Sequence, residues 1–196
     1  MPDGTHFIEQ PPLQDVDLLQ RLNQYFETLD IRLRQGQGWV IYNAKGKRAN
    51  RITQFMDAQL QATDIPFSHY FLPWRDFALT SYLVEVEMHH LSQRQDTLSD
   101  RSRAEYEMAA RVSRQTLARM VTADLLILSG LLPQHGHEVN YLEQTIDRRS
   151  DNRLATILLT PEQPHELAHD MTRLGESRER WERLATRLYA TSLIAL

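Results

Sequence analysis

A chain of 196 residues with 41% hydrophobic content can bury one substantial core, so a single domain is expected. Its net charge of −4 excludes wholesale electrostatic binding to nucleic acid or an anionic membrane and leaves room only for a local basic patch. Cysteine is absent, which excludes disulfides and thiolate metal sites, and no apolar run approaches membrane-spanning length; the chain reads as soluble and cytoplasmic.

Residues 1–12 read as a short tail, and residues 13–196 as one domain. From Leu13 to Leu33, apolar residues at Leu18, Leu19, Leu22, Tyr25, Phe26 and Leu29 predict a leading helix that stops at the Gly36/Gly38 turn. Trp39 to Tyr42 is strand-like, and a helical pattern resumes at Ile52, Phe55, Met56 and Leu60. Phe67 to Leu72, bounded by Pro66 and Pro73, reads as a second strand. A helix follows over Arg75 to Leu91, then an exposed polar connection from Ser92 to Arg103, then a helix over Ala104 to Val121. The continuous apolar run after Asp124, ending at Ser129, suits a strand buried on both faces at the centre of a parallel sheet. Tyr141 to Arg149 is helical, Leu154 to Thr160 is a strand, Pro164 to Leu174 and Ser177 to Leu188 are helical, and Thr191 to Leu196 is a fifth strand. Strands alternating with helices imply crossovers and a parallel sheet covered on both sides.

The strand, loop and helix spanning Gly38 to Leu60 have the layout of a phosphate-binding site. Such a loop needs a glycine for the wrap, a lysine for the β- and γ-phosphates and a hydroxyl for Mg²⁺. Laid without gaps after the strand, with Asn43 and Gly46 inside the loop, those three places fall on Arg48, Ala49 and Asn50. The chain's only two lysines, Lys45 and Lys47, stand in this loop beside Arg48 and Arg51. This basic cluster at a helix start is the candidate contact for phosphate or a DNA backbone.

In this order the elements resemble the ATPase core of DnaC-type helicase loaders and of IstB-type transposition helpers, in the AAA+ class. The resemblance spans roughly Leu13 to Leu196. It is carried by Gly38-Trp-Val-Ile-Tyr, Ala123-Asp-Leu-Leu-Ile-Leu, Ile146-Asp-Arg-Arg-Ser-Asp-Asn-Arg, Ala155-Thr-Ile-Leu-Leu-Thr, Pro164-His-Glu-Leu and Trp181-Glu-Arg-Leu-Ala-Thr-Arg-Leu. It implies a P-loop NTPase fold of AAA+ type, a three-layer α/β/α sandwich on a five-stranded parallel sheet without a C-terminal lid. It also implies that the acidic pair after the third strand falls on Ser129 and Gly130, and the sensor asparagine on Pro161. With the loop lysine, the loop hydroxyl and both carboxylates absent together from the places the resemblance implies, the expectation is a pseudo-ATPase without an ATP, Mg²⁺ or other cofactor. Arg183 and Arg187 match the family's segment that reaches into a neighbouring subunit's site. The implied role is binding or assembly in DNA replication or transposition, with an active AAA+ subunit or helicase complex as protein partner. Loaders of this type hold the helicase through an N-terminal extension, and the dozen residues before Leu13 are too few for a domain.

One motif points elsewhere. His165-Glu-Leu-Ala-His169 is an H-E-x-x-H pattern, which puts two histidines on one helix face to hold zinc with Glu166 as general base. The alternative reading is therefore a zinc metallopeptidase. Pro164 directly before it would place His165 in the first helical turn, a looser seat than mid-helix.

Overall fold

In the computed structural model, which describes residues 13–84 and 100–196, the apolar runs become the strands of one sheet. These are β1 (Gly38–Ile41), β2 (His69–Pro73), β3 (Leu125–Ser129), β4 (Ala155–Leu159) and β5 (Ser192–Ala195). They lie in the order β2-β3-β4-β1-β5, and every neighbouring pair is parallel. Helices α1 (Leu13–Glu27) and α2 (Leu29–Arg34) lead into β1; parallel neighbours need crossovers, and helices α3 (Gly46–Ala62), α4 (Trp74–Tyr82), α5 (Asp100–Thr122), α6 (Gly136–Asp151), α7 (Pro164–Leu174) and α8 (Arg178–Thr191) stand between successive strands.

Strand periodicity sorts the core into two layers. Trp39, Ile41, Ile127 and Ile157 pack against Leu22, Tyr25, Ile52 and Met56 of α1 and α3. Val40, Leu126, Leu128 and Leu158 pack on the other face against Phe77, Leu142, Met171 and Leu184. The result is the expected α/β/α sandwich. Gly38 makes the entry of β1 possible, because a Cβ there would stand 1.8 Å from the Thr156 carbonyl oxygen. Truncating Trp39, 1% exposed with Tyr25 edge-on at 6.2 Å, would remove about 3–5 kcal/mol.

A charged pin holds the edge of the sheet where the strands begin. Arg149 is buried on α6 and donates to the carbonyls of Met120 (2.6 Å), Ala123 (2.8 Å) and Ala155 and to Thr156 Oγ1 (2.9 Å), tying the end of α5 to the start of β4. Burial pulls its guanidinium down to about 10, opposed by the charge of Asp124. Asp124 in turn accepts from the Ser68 amide (2.7 Å) and hydroxyl (2.8 Å), and those bonds hold its carboxyl below its ordinary range. Both residues are structural.

Several boundaries differ from the sequence reading. The leading helix is two helices, broken at Thr28, whose hydroxyl donates to the Gln24 carbonyl. Helix α4 starts at Trp74, and α5 starts at Asp100, so that residues 100–103, read as part of the polar connection, are helical; residues 85–99, where the rest of that reading falls, lie outside the described residues. Helix α6 begins at Gly136, five residues before Tyr141, where buried Glu138 turns back to accept from the Gln134 amide at 2.9 Å.

Candidate functional site

The ends of β1, β3 and β4 meet at one edge of the sheet, the place where open α/β sheets put their ligand sites. Here the turn after β1 is closed by its own hydrogen bonds. The amide of Tyr42 donates to Ala195 O (2.8 Å), that of Asn43 to Glu162 O (3.0 Å), and that of Ala44 to Thr160 O (2.8 Å). The turn is tightened by Asn43 at φ 57, and the Tyr42 hydroxyl is bonded to that of Tyr189 on α8. A phosphate cradle works by aiming such amides outward at the anion. In this chain the amides of Asn43 and Ala44 extend the ladder toward β4 instead.

Helix α3 opens on Gly46, at φ 54, with Lys45 as N-cap and no side-chain cap bond. Its first residues are Gly46, Lys47 and Arg48, with Ala49 and Asn50 following in the helix. Ile41, at the end of β1 before this turn, is 0% exposed and paired with both Leu159 and Ala195.

The basic cluster divides. Arg48 and Arg51 turn away from the loop to Asp15 in the first turn of α1: Arg48 Nε lies 3.1 Å from Asp15 Oδ1, and Arg51 Nη2 pairs with Oδ2. Arg48 also donates to Leu196 O at 2.8 Å. Lys45 and Lys47 are exposed. Asp15 is 4% exposed and was not singled out from the sequence. Its signal was its place on the apolar stripe, three residues before Leu18 and seven before Leu22.

At the end of β3, Ser129 is half-buried, and Gly130, at φ 75, faces open space. Beyond β4, Thr160 is buried and its amide donates to Ile41 O at 2.9 Å, Pro161 follows, and Glu162 takes the next place. Burial, then the neighbouring carboxylates Asp170 and Glu166, push the Glu162 carboxyl up to about 7.

Glu162 lines a cavity of about 390 Å³ together with His165, Glu166, His169 and Asp170. The H-E-x-x-H residues thus share one hollow. Glu166, however, accepts from the Gln163 amide at 2.8 Å and completes a capping box at the start of α7. Both histidines are exposed, and among the described residues no three His, Cys, Asp or Glu side chains are placed to hold a metal ion.

The arginines of α8 are laced to α6. Arg187 lies between Asp147 (3.2 Å) and Asp151 (3.0 Å). Arg180 donates through Nε (2.9 Å) and Nη2 (2.6 Å) to one oxygen of Glu143. Arg183 stands 3.5 Å from the other oxygen, with its side chain 64% exposed.

No family model matches the sequence, and no curated protein matches it. Solved structures do share its fold. The crystal structure of the DnaC helicase loader superposes with a TM-score of 0.60 at 13% identity, over 94% of this chain and 90% of that one. DnaI gives 0.62 at 10% identity, over 96% and 87%. AMPPCP-bound DnaA from Aquifex aeolicus gives 0.54 at 13% identity, over 95% of this chain and 48% of that one. The chain shares the fold of these AAA+ P-loop structures, and its shape is DnaC-like. Among the described residues no helix is long and apolar enough to cross a membrane.

Proposed function

We propose that this chain is a non-hydrolysing AAA+-type subunit that serves as a binding, assembly or regulatory factor in DNA replication or transposition. The observation that carries the reading is the turn after β1, whose Asn43 and Ala44 amides are bonded to Glu162 and Thr160 and so are not turned toward a ligand. Phosphoryl transfer also needs metal and cationic groups on the developing charge, and β3 ends in Ser129 and Gly130 rather than the two carboxylates that would organise them. Lys47 near the start of α3 does not supply the chemistry, because a lysine alone neither holds Mg²⁺ nor orients water.

The energy in this reading comes from an active AAA+ neighbour or helicase complex, to which α8 offers Arg183 or Arg187. Charge acting in trans is kept where charge acting in cis is lost, as suits a subunit that completes another's site. Lys45 and Lys47 remain the outward-facing candidates for a phosphate or single-strand contact, with Arg48 and Arg51 bound to Asp15 behind them. The likeness to the DnaC and DnaI loaders supports replication as the setting.

Two measurements test the reading. Millimolar ATP with Mg²⁺ is expected to leave the melting temperature unchanged and to yield no phosphate; a nucleotide-dependent rise would show a working cradle by mass action. Arg183→Ala is expected to lower the partner's ATPase by about tenfold or more while this fold stays intact. An unaltered partner would remove the intersubunit role.

A further inference from the structure

The proposed role leaves open which arginine acts in trans and what aims it. Arg187 is held by two carboxylates, Asp147 at 3.2 Å and Asp151 at 3.0 Å, so any other acceptor must displace both. Arg180 is fixed by two donors on Glu143 Oε2. Arg183, one turn further along α8, is the loosely held one: a single 3.5 Å pairing with Glu143 Oε1 and a side chain 64% exposed. Glu143 itself is only 14% exposed, and its Oε2 is held by both donors of Arg180. Its two oxygens thus have different tasks, one anchoring a guanidinium and one steering its neighbour.

We infer that Glu143 is a positioning residue that aims Arg183, rather than Arg187, at an anionic acceptor on a partner subunit, an acceptor of the phosphate class. This rests on the reading of α8 as a segment acting in trans. The physical reason is competition. A pairing at 3.5 Å in a largely exposed setting is weak enough to give way, whereas a desolvated phosphate offers more charge and a bidentate fit to the same guanidinium. Until that acceptor arrives, Glu143 narrows the directions the arginine can take, so less freedom is lost on docking.

The test compares the ATPase of an active AAA+ partner in the presence of the parent, Glu143→Gln, Arg183→Ala and the double variant, with thermal melts confirming the fold. Glu143→Gln keeps the shape and removes the charge, and is expected to lower the partner's response about tenfold. Arg183→Ala should lower it at least as far, and the double variant no further than Arg183→Ala alone, the non-additivity of residues acting as one unit. An unchanged response to Glu143→Gln, or losses that simply add, would overturn the positioning role and leave the trans arginine standing. An unchanged response to Arg183→Ala removes the trans reading and this inference together. Arginine modification by phenylglyoxal, read by peptide mass spectrometry on the free protein, checks the same geometry without a partner. Arg183 should react before Arg180 and Arg187, and Glu143→Gln should erase its lead over Arg180. A parent protein in which Arg187 reacts first would also overturn the assignment.

Discussion

The turn after β1 and the α6–α8 face both carry clusters of cationic side chains, and the two clusters are held in opposite ways. At the turn, backbone donors face inward to Thr160 and Glu162, and Arg48 and Arg51 face back to Asp15. At the α6–α8 face, Arg180 and Arg187 are paired firmly and Arg183 only lightly. The lesson is that cationic residues clustered on one fold are not of equal standing. Each has either been absorbed into the fold or left facing solvent, and the partner distances tell which.

The sharpest way to break that contrast is to remove Asp15. If Arg48 and Arg51 are struts, Asp15→Ala leaves two guanidinium groups against a buried position without their counter-charge. The expected loss is about 2–4 kcal/mol of stability, read by urea denaturation. Lys45→Ala, on the exposed side of the same loop, should move stability by no more than about 0.5 kcal/mol. Equal, small effects at the two positions would mean that Arg48 and Arg51 are free to meet an anion, and the division drawn at this loop would fail.

A smaller effect comes from Glu162, whose carbonyl fixes the Asn43 amide while its carboxyl lies among Asp170 and Glu166. With its folded carboxyl raised to about 7, above the ordinary carboxylate range, the folded protein holds a proton that the unfolded chain has already released. Stability from this group is therefore full at pH 4, falls as pH rises toward 7, and is flat above it. Glu162→Gln should remove that slope and leave the variant more stable than the parent at pH 8, by about 1–2 kcal/mol after allowance for solvent screening. Melts at pH 4 and pH 8 decide it: a parent without a slope, or a variant with the same slope, would show that the carboxyl is not strained.

How much of this was readable from the chain depends on what kind of constraint each residue answers to. The strands were legible because Leu125 to Leu128 is apolar without interruption and Ala155 to Leu159 is broken only by Thr156, the pattern of a parallel sheet buried on both faces. The break at Thr28 was not, since Tyr25, Phe26 and Leu29 keep helical spacing straight through it. Arg148 and Arg149 are adjacent and chemically identical, yet only Arg149 continues the stripe of Leu142, Thr145 and Ile146 into the core. The start of α3 at Gly46 left no mark in the sequence, because no side chain caps it. Pairings across the fold, such as Asp15 with Arg48 and Arg51, or Glu143 with Arg180 and Arg183, join residues 30 to 40 positions apart, which no local pattern reports.

The smallest effect is expected at Arg187, and its size carries information. Both of its carboxylate partners are substantially exposed, so water screens the pairs, and Arg187→Ala should change stability by only about 0–1 kcal/mol. Because Asp147 and Asp151 already occupy the Arg187 guanidinium in the parent protein, the same substitution should leave a partner's ATPase close to the parent level, where Arg183→Ala does not. A thermal melt together with that assay separates the two arginines. If Arg187→Ala spared stability but abolished the partner's response, the doubly paired arginine would be the one that leaves the surface, and pairing strength in the free chain would no longer indicate which charge acts across the interface.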